Sequence, residues 1–190
     1  MERSAHAWPG ISSVKFGTWL FIVSEVMLFT GLIGTYLALR TGSVNWPEAS
    51  ETLDIPLTAV NTFILIMSSL TMVQSLASIE RGNDARLRLW LAATALLGLT
   101  FLGIKLHDWS ELIGHGYPPD SGAFAATFFT LTGFHAAHVA GGVIALAYLI
   151  GRSAGGAYTA VRHETVELVG VYWHFVDIVW IVLFTIIYLM

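Results

Sequence analysis

Five apolar stretches, each near or above the ~20 residues that cross a bilayer as a helix, decide what this chain can fold into. They fall at about residues 16–39, 57–79, 87–107, 122–150 and 165–189. The fourth is longer than a span needs and is expected to tilt or to extend beyond the membrane. A soluble domain of 190 residues, 55% of them hydrophobic, could not hide so much apolar surface, whereas a bilayer solvates it. The fold class expected is therefore all-α, a polytopic bundle of five transmembrane helices forming a single domain over residues 1–190. Residues 1–15 are too polar to supply the core of a cleavable signal peptide, so the first stretch is expected to be a permanent span.

The connections carry the breakers. Gly42, Pro47 and Pro56 lie in the first, with Trp46 as an interfacial anchor. Gly82-Asn83-Asp84 in the second is a tight-turn signal. Connections this short make successive helices antiparallel neighbours. Seven of the nine basic residues, Arg3, Lys15, Arg81, Arg86, Arg88, Arg152 and Arg162, then fall on the N-terminal side, against Arg40 and Lys105 opposite. The positive-inside rule puts the N-terminus in the cytoplasm and the C-terminus outside. The outer side holds Glu48, Glu51, Asp54, Asp108, Glu111 and Asp120, an acidic face that reads as a solvated surface or as a minor docking contribution for a basic periplasmic partner. No basic run points to nucleic acid. With no cysteine, disulfides, thiolate metal sites and cysteine nucleophiles are excluded.

Ionisable groups at membrane depth are costly and face the bundle interior or a partner. Glu25 lies in the first span, His135 and His138 sit one turn apart in the fourth, and His174 and Asp177 one turn apart in the fifth. Together they could offer metal ligands from facing helices. They could equally form a buried polar or proton-handling cluster that ties helix to helix. Glu25 alone reads either as a hydrogen-bonded acid or as a group exchanging protons. Lys105 near the outer end of the third span is expected to snorkel. Glu164 and Glu167 suit a helix N-terminus, and Arg162 with His163 could hold a lipid phosphate. Gly31, Gly34, Gly133, Gly141 and Gly142 are expected to allow close helix approach.

These residues also resemble a known family, subunit III of haem-copper oxidases. The strongest likeness is Tyr172-Trp173-His174-Phe175-Val176-Asp177-Ile178-Val179-Trp180, with His163 and Glu167 before it. Thr132-Gly133-Phe134-His135-Ala136-Ala137-His138 is similar to the family's penultimate helix. Phe21-Ile22-Val23-Ser24-Glu25 resembles its helix with a membrane-embedded, carbodiimide-reactive glutamate. A weaker match runs through Pro56, Asn61, Thr62, Ser68 and Ser69.

The chain looks like the short, five-helix form, lacking the first two spans of longer members. Lys105 and Asp108-Trp109 replace the family's frequent Gln and Glu-Tyr. The resemblance implies a non-catalytic subunit without metal or cofactor of its own, with haem and copper in partner chains. It implies packing against the catalytic subunit I, bound phospholipid near Arg162, His163, Glu167 and Trp173, and support of proton uptake in respiratory electron transport. It places the chain in the plasma membrane of a prokaryote. The competing readings are an accessory subunit of a nitric oxide reductase or quinol oxidase, and a stand-alone metal-binding membrane enzyme or transporter.

Overall fold

In the computed structural model, residues 12–44, 46–48 and 52–190 are described. Arg3, Glu51 and most of the segment read for a signal peptide lie outside the described residues. Five helices follow in order: α1 Ser13–Gly42, α2 Ile55–Glu80, α3 Asp84–Gly114, α4 Ala123–Ala154 and α5 Glu164–Phe184, the last continued by a π-turn, Thr185–Leu189. All five are long and apolar enough to cross a membrane. No strand occurs among the described residues. At 26–32 residues for α1 to α4, these helices run about 39–48 Å at 1.5 Å per residue, beyond the apolar stretch at their ends.

At the N-terminal ends of α1, α2 and α3 the few added residues are capped. Ser12, Asp54 and Asn83 each accept a backbone N–H of the first turn, from Lys15, Leu57 and Arg86. The α2–α3 turn closes as its sequence predicts. Gly82 adopts φ 71°, which frees its N–H for the Ile79 carbonyl and that of Asn83 for Ser78.

α2 and α3 form a tight antiparallel hairpin, α4 lies against α3, and α5 packs on α2 and α4. α1 packs on α4 and α5. Trp173 of α5 is fully buried where these elements meet. A Cβ at Gly98 or at Gly142 would stand 2.7 Å from its ring, so α3 and α4 reach it only through glycine. Among the described residues nothing lies within 4 Å of where a Cβ at Gly31 or Gly34 would stand, and the close approach expected of them is not made.

Two faces can be distinguished: an N-terminal face, carrying the start of α1, and a C-terminal face, carrying the π-turn. Trp19, Gln74, Trp90 and Tyr148 each stand six residues, about 9 Å, inside the N-terminal-face end of their helices. Amphipathic side chains at one common depth are what a membrane interface selects.

Candidate functional site

The ionisable groups at membrane depth do not converge on one centre; they form separate stations between pairs of helices. Glu25 is twelve residues into α1, about 18 Å by helix rise. Its Oε2 lies 2.9 Å from His138 Nε2 on α4, both side chains being 15% exposed. His138 Nδ1 is 2.7 Å from the Phe134 carbonyl, which can only accept, so Nδ1 carries hydrogen. One further proton then lies between His138 Nε2 and Glu25. Whichever atom holds it, the pair has no net charge. Phe29 closes one side, its ring edge-on to His138 at 5.2 Å.

His135, one turn earlier on α4, is fully buried and turns to α5, with Nε2 3.2 Å from the Val176 carbonyl. Its ring packs on Trp180 at 4.8 Å and against the edge of Phe101 at 5.6 Å. His174 turns instead to α2, where its Nδ1 meets the Ser69 hydroxyl. Two indoles of the same helix do likewise: Trp173 donates to Ser68 and Trp180 to Thr62, each at 2.9 Å. α5 is thus laced to α2 by a ladder of hydroxyls. Asp177 lies beside the Ser69 hydroxyl, 5% exposed, and among the described residues neither of its oxygens has a well-formed hydrogen bond. Among the described residues no three His, Asp or Glu side chains gather in a metal-holding group.

Lys105 overturns the snorkelling expectation. It is 2% exposed, with Nζ 2.6 Å from Asp108 Oδ2 and a hydrogen bond to the Tyr188 hydroxyl. Phe128, Trp180 and Tyr188 surround the ammonium with ring centroids at 4.9, 5.3 and 5.1 Å. Its partner's spacing holds it inside: Asp108 is one turn along the same helix, and Tyr188 arrives from the π-turn. Asp108 is correspondingly buried and does not belong to the acidic face. The i, i+3 pairing of Lys with Asp was the signal available in the sequence.

The residues expected near lipid separate. Arg162 is exposed and His163 half-buried at the N-terminal face. A cavity of about 350 Å³ there is lined by Tyr148, Arg152, Tyr158, Arg162, Glu164 and Thr165. Burial raises the pKa of the Tyr158 hydroxyl, with Arg152 working against it. Glu167 reaches Lys15 of α1 at 3.0 Å. Trp173 is enclosed between α2, α3 and α4, so its ring cannot meet lipid.

Such an arrangement defines a polytopic membrane protein whose buried ionisable groups are mostly matched helix to helix. The sequence profile described as Cytochrome c oxidase subunit III matches residues 3–190. The chain is 36% identical over 174 residues to cytochrome c oxidase subunit 3 of Bacillus sp. (strain PS3), covering 92% of this chain and 84% of that protein. It is 33% identical over 185 residues to cytochrome bo(3) ubiquinol oxidase subunit 3 of Pseudomonas aeruginosa, covering 97% and 88%. To the probable cytochrome c oxidase subunit 3 of Mycobacterium tuberculosis it is 38% identical over 184 residues, covering 96% and 91%. The chain belongs to the cytochrome c oxidase subunit III family.

Proposed function

We propose that this chain is the accessory third subunit of a haem-copper terminal oxidase, multi-pass in a bacterial plasma membrane. The family match across all five helices carries this reading. The redox chemistry belongs to haem and copper in the partner chains. This chain packs against the catalytic subunit, binds phospholipid and supports proton uptake. Arg162 and His163, beside the cavity with Arg152, are the groups that hold a lipid phosphate. Glu25 with His138 is the pair able to exchange a proton internally at no change in net charge. An affinity-tagged chain extracted in mild detergent is expected to bring down haem-bearing chains, identified by mass spectrometry. A chain recovered alone would sink the reading.

The N-terminal face lies in the cytoplasm. The basic residues favour it, and more strongly once Lys105 is set aside as neutralised by Asp108. Because the chain has no cysteine, Gly82→Cys and Pro118→Cys are clean reporters. An impermeant maleimide on intact cells is expected to label Pro118→Cys and to spare Gly82→Cys; the opposite pattern would invert the topology.

A further inference from the structure

On the outward faces of α1, α3 and α4, hydroxyls at membrane depth are closed upon their own helices. Ser24 donates to the Phe21 carbonyl, Thr30 to Val26, Thr35 to Gly31, Thr100 to Leu96 and Thr130 to Ala126. Such surfaces ask nothing of a lipid tail. The open face of α5 differs. α1 and α2 flank this helix without forming a packed interface with each other. Between them α5 presents a strip in which Ile178, Ile181 and Val182 are 62%, 43% and 40% exposed.

His174 stands at the edge of that strip, half-buried, ten residues or about 15 Å into α5 and deeper than the interfacial Trp19, Gln74, Trp90 and Tyr148. Its Nδ1 is engaged by Ser69, and its Nε2 has no partner among the described residues. One turn on, Asp177 is buried beside the same Ser69 hydroxyl, without a well-formed hydrogen bond among the described residues. Lipid tails can neither give nor accept a hydrogen bond, so an ionisable ring at this depth marks a surface that protein covers.

We infer that the α2–α5 flank around His174 is the seat of a transmembrane helix of the catalytic subunit, which sets a hydroxyl or amide side chain against His174 Nε2. Such side chains serve as donor or acceptor and so match either tautomer of the ring. The apolar part of the seat is the α5 strip together with Ile66, Leu70 and Val73 of α2, 43%, 51% and 49% exposed. The inference rests on the accessory-subunit reading.

A photo-crosslinking residue at Ile178 tests it in native membranes, with Leu96 of α3 and Ile144 of α4, 65% and 71% exposed, as controls. Ile178 is expected to link to the haem-bearing chain and the two controls to leave it unlinked. In the tagged complex, His174→Phe is expected to lose the haem-bearing chain in detergent, and His174→Gln, which restores a polar group, to keep it. Crosslinking from Leu96 or Ile144 with none from Ile178 would overturn the seat. So would retention of the haem-bearing chain by His174→Phe at the level of the unaltered protein. Either failure leaves the accessory-subunit reading standing; an unaltered chain that brings down no haem-bearing partner takes both away.

Discussion

α1 and the four helices behind it are held by different forces. α1 buries three residues, Ile22, Phe29 and Tyr36, spaced seven apart along one seam. Leu32, Ile33 and Leu37 pack partly against the core beside them, and the further ties are polar: Ser12 to Glu164, Lys15 to Glu167, Glu25 to His138, and Arg40 to the Ile186 carbonyl at 3.2 Å. α2 to α5 interlock instead through Trp173, Trp180, Phe101 and Phe128, all fully buried, with glycines cut to fit. Lipid is as apolar as leucine, so neither region gains from hydrophobic burial between helices. The core is held by packing, and α1 by a narrow apolar seam supplemented by polar ties. The first should fail by steric insult and the second by loss of a partner atom.

The largest effect is expected at the buried Lys105–Asp108 pair, where the core itself holds matched charge. Lys105→Met leaves Asp108 buried and unpaired, a loss of about 3–5 kcal/mol. Lys105→Met with Asp108→Leu should recover most of it, as read by denaturant titration of the detergent-solubilised complex. A double variant as unstable as the single would mean that the pair stabilises by more than mutual neutralisation. Next comes Gly142→Val, which must displace the Trp173 ring and cost about 1–3 kcal/mol, whereas Gly34→Val, with open space around it, should leave stability near that of the unaltered protein. Equal losses at both would erase the contrast between the two regions.

Glu25→Ala removes the partner of His138 Nε2 and is expected to cost about 1–3 kcal/mol, loosening α1 alone. Protease accessibility of the α1–α2 connection would show it. Glu25→Gln can still donate to Nε2, so assembly and oxygen consumption should stay near normal. Abolished turnover in a fully assembled Glu25→Gln complex would make Glu25 an obligatory proton carrier. Smallest is Lys15→Ala. With side chains 36% and 41% exposed, the Lys15–Glu167 pair contributes about 0–1 kcal/mol, and less in high salt.

The five helices were legible because apolar length is a property of sequence alone, while their ends run further than the apolar stretches: caps such as Asp54 and Asn83 add two or three residues at the start, and α3 continues through polar residues to Gly114. Glu25 and His138 could be matched by depth from helix rise. His174 stands at a similar depth by helix rise, and depth alone does not say which way a helix is turned. Its rotation toward Ser69 is fixed by Trp173 and Trp180, whose indoles already bind α2. Lys105 was misread because a lysine near a helix end usually reaches water, and its second partner, Tyr188, lies 83 residues further along the chain. Gly31 and Gly34 resembled packing residues, but small size permits contact without supplying a neighbour.

The neutral Glu25–His138 pair has an electrical consequence. A proton passing between atoms 2.9 Å apart crosses at most about a tenth of a ~30 Å hydrocarbon layer. At 100 mV the work is therefore about 0.2 kcal/mol, against ~2.3 for a charge taken across the whole membrane. That is below thermal energy, so the voltage across an energised membrane shifts the balance within the pair by less than about twofold.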